Sequence, residues 1–396
     1  MESYKSFSPS VINQSFEWKD KQINILLELT THALGELNGL TAYSNNYQLF
    51  VPYLQLREVL ASNMIEGNSL NLHEYFFKTD TLSELQQQEQ QQANCYNKSI
   101  IWAFNELNKY PLSIRLIKQA HKILYSSSNK TKELGGKLRT VGKYSTTVSP
   151  IKDFTPPNRD ELKHLINDAK KFWNNDSLQL PLLIKMAISL FQFENILPFV
   201  DGNGRTARTL TLLQLNSLKF MSKPVLSPSV IFNQNRMEYY HRLNLVRTNN
   251  DIEQWIRFFL SVLHQSATEN IQLLIKAAEL NTKNSLLITN NLPIKRRKQG
   301  VAFLELITQT PIITVKEIAQ HFCVSFQAAN NFIREFEKLG LINELSGAKR
   351  NRIFSYSELI ELFELQTKKQ RVCGTNRKPF IKHYVYKQGK TCLYMF

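Results

Sequence analysis

The sequence predicts a mainly α protein with one small β-hairpin and a further helical unit towards its C-terminal end. Three observations carry that prediction. Apolar residues recur at helical spacing through most of the chain, and strand and turn letters cluster around residues 135–157. A break at Asn290-Asn291-Leu292-Pro293 is followed by a fresh set of capped-helix patterns. With 396 residues, 42% of them apolar, the chain has material for two to three domains and is not disordered.

The elements follow in order. Residues 23–40 place apolar side chains at 23, 25, 26, 27, 29, 34, 37 and 40, an amphipathic helix opening a helical region that reaches to about residue 110. Ser62-Asn63-Met64-Ile65-Glu66-Gly67-Asn68 reads as a helix ending at Gly67 with Glu66 in its last turn, where a carboxylate opposes the helix dipole and asks for a compensating partner. Residues 86–92, glutamine throughout except Glu89, read as a solvated helix face. Between Gly135-Gly136 and Pro156-Pro157 lie Val141, Tyr144, Thr146, Thr147 and Val148, the composition of a β-hairpin. Residues 182–193 are apolar on nearly all sides and predict a buried helix, with Pro181 at its first position. Trp255 and Phe258 read as core.

Residues 193–208, FENILPFVDGNGRTAR, hold the most informative pattern in the chain. Gly202 and Gly204 around Asn203 let successive backbone N–H groups converge on a concave surface. An apolar run from residue 206 predicts a helix whose N-terminal end faces that concavity and favours phosphate. Arg205 and Arg208, three apart, project together to clamp phosphate oxygens, and Asp201 stands where it can hold a divalent cation against them.

This stretch resembles the signature of the Fic family, HxFx(D/E)GNGRxxR, and departs from it at the first position, where Leu197 replaces the family's histidine. The resemblance implies a protein adenylyltransferase, moving AMP from ATP with Mg²⁺ to a hydroxyl on a target protein. Asp201 would hold Mg²⁺, the backbone of Gly202, Asn203 and Gly204 would cradle phosphate, and Arg205 and Arg208 would neutralise it. In the family the histidine is the general base that deprotonates the target hydroxyl, and leucine has no titratable group for that task. The 62–68 segment resembles the family's (S/T)xxxE(G/N) inhibitory motif, which implies that Glu66 pairs with Arg208. The hairpin, 138–155, corresponds to the family's flap, which holds a target segment by strand addition. Tyr239 and Tyr240 correspond to tyrosines that flank adenine and ribose.

The segment after residue 293 resembles a winged helix. Lys295-Arg296-Arg297-Lys298 is a basic run. Thr314-Val315-Lys316-Glu317 is a capping box, and Cys323-Val324 makes a turn. Ser325 caps a second helix that buries Phe326, Ala329, Phe332, Ile333 and Phe336 and stops at Gly340, and Lys349-Arg350-Asn351-Arg352 lies in a wing. Gln327, Asn330, Asn331 and Arg334 face outward. DNA contact and a plain protein-interaction module both stay open for this unit.

The expected division is a helical region at 1–110 with the inhibitory motif, a Fic core at 111–290, a winged helix at 291–365 and a basic tail at 366–396. The net charge of +16 is uneven: the tail carries eight basic residues and no acidic one. Met1–Ser10 is too polar for a signal peptide, no apolar run spans a bilayer, and Cys95, Cys323, Cys373 and Cys392 show no metal or disulfide spacing. These features point to the cytoplasm, with a homo-oligomer left open. Two functional readings follow: an adenylyltransferase scaffold silenced at Leu197, or a catalytically silent nucleotide-sensing, DNA-binding regulator.

Overall fold

A 40-residue helix forms the spine of the molecule. The computed structural model describes residues 9–127, 132–140, 156–347 and 352–365. The spine, α11 (Ile252–Asn291), starts at Asp251, whose side chain accepts from the Gln254 N–H. Its buried stripe includes Trp255, Phe259, Leu263, Leu274 and Ile288, apolar residues spaced so as to keep one face inward. The first helix, α1 (Lys21–Tyr43), capped by Asp20, packs along it, and the Thr30 hydroxyl donates to the Leu260 carbonyl. Ile23, Leu34 and Leu37 form the buried side of α1, whereas Ile25 is exposed.

The remaining N-terminal helices are α2 (Val51–Ile65), α3 (Leu72–Phe76), α4 (Glu84–Leu107) and α5 (Ile114–Leu124). The glutamine run lies in α4, but it is not simply a solvated face. Glu89 and Gln90 are buried; Glu89 accepts from the Ser69 N–H, and Gln90 donates to the carbonyls of Tyr75 and Phe77. The loop after Glu66 and the C-terminal end of α3 leave backbone groups without helical partners, and this run satisfies several of them.

Next come α6 (Arg159–Trp173), α7 (Leu182–Ile196), α8 (Asn203–Ser217), α9 (Pro228–Gln234) and α10 (Arg236–Asn249). The expected buried helix is α7, with Pro181 as its N-cap rather than its first turn. The Trp255 indole N–H donates to the Ala187 carbonyl and ties the spine to α7, as its assignment to the core requires. Of the predicted hairpin, residues 141–155 lie outside the described residues. Leu138 forms an isolated bridge with Phe199.

Leu292 and Pro293 stop the spine, and the basic run opens a new helix, α12 (Ile294–Gln309). It is followed by β1 (Ile312–Thr314), α13 (Val315–His321), α14 (Phe326–Lys338), β2 (Asn343–Glu344), β3 (Ile353–Ser355) and α15 (Ser357–Phe363). The strands form an antiparallel sheet in the order β1-β3-β2, with Ile312 opposite Ser355 and Asn343 opposite Ser355. The capping box at Thr314 and Glu317 is present, Cys323 turns the chain at φ 51°, and Ser325 caps α14. Ala329, Phe332, Ile333 and Phe336 are buried as expected. Phe326 is 59% exposed, because it occupies the first turn of α14 before the helix meets the core. Of the proposed wing residues, Lys349, Arg350 and Asn351 lie outside the described residues, and Arg352 donates to the Asn330 side chain. The described residues up to Glu364 make one compact unit. Among the described residues no helix is long and apolar enough to cross a membrane.

Candidate functional site

The loop between α7 and α8 is held by its own side chains and by two elements from upstream. α7 ends at Leu197, which takes a left-handed conformation (φ 44°, ψ 67°) that a γ-branched residue adopts at a cost. Arg139 closes that helix end. Its side chain donates to the carbonyls of Leu197 at 2.7 Å, Ile196 at 3.0 Å and Pro157 at 2.6 Å, placing a cation on the negative pole of α7. The Asn203 amide then brackets the loop, donating to the Phe199 carbonyl and accepting from the Phe199 N–H, both at 2.8 Å. Gly202 sits at φ 71° as the N-cap of α8, which begins at Asn203, three residues before the apolar run suggested. A Cβ on Gly202 would come within 2.7 Å of the Tyr125 ring.

His121 and Tyr125, one turn apart on or just past α5, form the platform under this loop. The His121 ring stacks on Phe199 at 3.8 Å and on Tyr125 at 4.8 Å. The Gly136 N–H donates to His121 Nδ1, so Nε2 carries the proton and donates to the Asp201 carbonyl at 2.9 Å. Burial pulls this imidazole down to about 4, so it is neutral and fully engaged. It supplies no base. Arg205 lies over the Tyr125 ring at 5.7 Å and donates to its hydroxyl, and its Nε has no partner among the described residues.

The first three N–H groups of α8 have no acceptor within the helix, and the helix dipole points its positive end at the same place. A carboxylate already stands there. Glu66, just past the end of α2, accepts from Arg208 Nη2 at 2.7 Å, and a Cβ on Gly204 would lie 2.6 Å from the same Glu66 oxygen. Arg208 is 1% exposed. Its Nε donates to the Ser62 hydroxyl at 2.8 Å, and Nη2 also donates to the Ser62 carbonyl. Burial alone would lower the Arg208 guanidinium, but the charge of Glu66, with lesser pulls from Tyr239, Tyr96 and Glu194, holds it above its ordinary value. Ser62 and Glu66, four apart, thus grip one arginine, and Gly67 at φ 103° lets the chain leave at once.

The sequence-predicted residues fall into three groups. Glu66, Gly204 and Arg208 are brought together. Asp201, Gly202, Asn203 and Arg205 line the same loop, with one Asp201 oxygen accepting from the Gly202 N–H. The tyrosine pair divides. Tyr239 is fully buried and its hydroxyl donates to Glu194, so it belongs to the core with Phe232 and Trp255. Tyr240 is partly exposed, and burial, then the charge of Glu66, pushes its hydroxyl up to about 12. Sequence reading missed His121, Tyr125 and Arg139. The first two carry a faint signal, a polar i, i+4 pair at the end of an amphipathic helix; Arg139 carries none, since its partners lie 18 and 57–58 positions away. Among the described residues no group of three or more metal-ligating side chains occurs.

A helical protein with a carboxylate held at a glycine-flanked helix N-terminus is the class that fold and loop define. The Fic/DOC family model matches residues 111–215, and the chain carries a Fic/DOC family domain there. Protein adenylyltransferase Fic of Nematostella vectensis is 33% identical over 120 residues, 30% of this chain and 26% of that protein. Protein adenylyltransferase Fic of Drosophila grimshawi is 25% identical over 206 residues, 52% and 36% of the two chains. The chain thus spans about a quarter to a third of these curated relatives. A Fic family protein from Desulfovibrio desulfuricans superposes with a TM-score of 0.57 at 17% identity, covering 86% of this chain and 98% of that one. Fic-1 from C. elegans superposes at 0.50 with 21% identity, covering 63% and 72%. These two solved structures share the fold.

Proposed function

We propose that this protein is an adenylyltransferase scaffold whose nucleotide site is held shut by Glu66 and whose reaction is silenced at Leu197. The observation that carries the reading is the Glu66–Arg208 pair: an anion sits at the N-terminus of α8, on an arginine otherwise buried, where a nucleotide phosphate belongs. With Glu66 withdrawn, the α8 amides and Arg208 would take phosphate oxygens, and Arg205 would add a second charge. Asp201 fits Mg²⁺, an ion commonly bound through one carboxylate, waters and substrate phosphates. Tyr240 is the partly exposed candidate for a base contact. In the transfer, the target hydroxyl oxygen bonds to the α-phosphorus, the bond to the β-phosphate breaks, and pyrophosphate leaves. The hydroxyl proton needs an acceptor, and Leu197 offers none. Losing a general base lowers the rate by about 10²–10⁴-fold.

The second reading is a catalytically silent nucleotide sensor with α12–α15 acting as a winged helix on DNA. The helix and strand order after residue 293 favours it, as do exposed Gln327, Asn331 and Arg334 on α14. A cytoplasmic setting suits both readings. Calorimetric titration of ATP with Mg²⁺ into the wild type and Glu66→Gly tests the shared part. Removing a competing charge-assisted hydrogen bond should tighten binding about tenfold to a hundredfold. A Glu66→Gly protein that binds no ATP would sink both readings.

A further inference from the structure

The helix that carries Glu66 is gripped at its far end by the segment α12–α15 of the same compact unit. On α2, the Tyr53 hydroxyl donates to the Thr308 carbonyl of α12 at 2.6 Å, and its ring stacks on Phe363 of α15 at 4.9 Å. Arg57, 6% exposed, donates to the carbonyls of Phe363 at 2.8 Å and Glu364 at 3.1 Å, so a buried cation caps the negative end of α15. The grip continues beyond Glu66. The Glu364 carboxylate accepts from the N–H groups of Leu72 and His73 at 3.2 and 3.3 Å, and Lys78 pairs with Glu317 of α13 at 3.0 Å. The end of α15 therefore holds the chain on both sides of Glu66, through Arg57 before it and Leu72 and His73 after it.

We infer that the segment α12–α15 is a latch for the Glu66 helix, so that its packing on α2 and α3 enforces the Glu66–Arg208 contact and its loosening opens the anion site. From Arg57 to Glu66 is nine residues, about 14 Å of continuous helix and its cap, stiff enough to carry a displacement from one end to the other. Arg57 donates to carbonyl groups at the end of α15, and a buried guanidinium that loses them incurs a desolvation cost that favours its moving. Moving α2 at Arg57 moves Ser62 and Glu66, which approach Arg208 from the same helix. The consequence for nucleotide binding rests on the reading given under Proposed function; the coupling itself does not.

Two readouts separate them, made on the full chain. The amides of Glu66, Gly67 and Asn68 donate to the carbonyls of Asn63, Met64 and Asn63, so their hydrogen exchange reports whether the end of α2 is held. In Arg57→Met, and more mildly in Tyr53→Phe should the first variant fold poorly, exchange at residues 66–68 should quicken about fivefold or more, the lower end of ordinary coupling. ATP affinity should rise by a similar factor in the single variants and should not rise further when Glu66→Gly is already present. Unchanged exchange at 66–68 in a folded variant overturns the latch, as does an affinity gain that simply adds to that of Glu66→Gly. If Glu66→Gly binds no ATP, the nucleotide reading fails while the exchange result still judges the latch.

Discussion

Gly204→Ala should reverse its effect on stability according to what stands at position 66. Gly204 lies in the first turn of α8 without a positive φ, so alanine suits its backbone and should stabilise the helix by about 0.5–1 kcal/mol. The added Cβ, however, would fall 2.6 Å from Glu66 Oε1 and 3.0 Å from Arg208 Nη1. The carboxylate is the end of a flexible side chain, 29% exposed, and it is what gives way. Displacing it forfeits a charge-assisted hydrogen bond, about 1.5–3 kcal/mol. In the wild type the net result is a loss of about 1–2 kcal/mol. In Glu66→Ala the carboxylate is gone and Arg208 can shift by the few tenths of an ångström required, so Gly204→Ala should become neutral or stabilising by up to about 1 kcal/mol. Urea-unfolding midpoints of the wild type, both single variants and the double variant complete the cycle. Equal destabilisation in both backgrounds would refute the claim that Glu66 occupies the space over Gly204.

Two further predictions follow from the same loop and its surroundings. Glu58, buried on α2, accepts from the Ser229 N–H at 2.8 Å and from its hydroxyl, yet burial pushes its carboxyl up to about 7. Its contribution to stability is therefore full below 4.5 and lost as pH rises through about 7, whereas that of His121 is full above 6.5 and lost as pH falls through about 4. Each amounts to about 3 kcal/mol, and the two oppose one another between these limits. Glu58→Gln should therefore make stability rise more steeply with pH between 4.5 and 7 than it does in the wild type; parallel profiles would contradict this. Gly202→Ala places a side chain at φ 71° and against Tyr125, and should lower stability by at least about 2 kcal/mol. It should also abolish any thermal shift on adding ATP and Mg²⁺, and an unchanged melting temperature would contradict it.

Much of the site was legible because its determinants are local. Glycines 202 and 204 and the arginines three apart follow from backbone geometry within a few positions, whereas the role of Glu66 came from the family resemblance of residues 62–68. The buried helix 182–193, the capping box at Thr314 and the N-cap at Ser325 were legible on the same local grounds. Contacts that close over long separations were not. Arg139 reaches the end of α7 from 58 positions away, and Gln90 serves carbonyls at the end of α3, a helix that composition alone could not place. Tyr239 shows the other limit. Adjacent tyrosines on one helix face different directions, and only the packing of Phe232 and Trp255 decides which is buried.

The most direct test is transfer of label from ATP carrying a radioactive α-phosphate, with Mg²⁺, by four forms: wild type, Leu197→His, Glu66→Gly and the double variant. Position 197 is already in a left-handed conformation that histidine tolerates better than leucine, so the substituted forms should fold. Label should appear on protein only where histidine stands at 197, and most strongly where Glu66 is also removed. Label transferred by the wild type would contradict the account, because another residue would then be serving as the base.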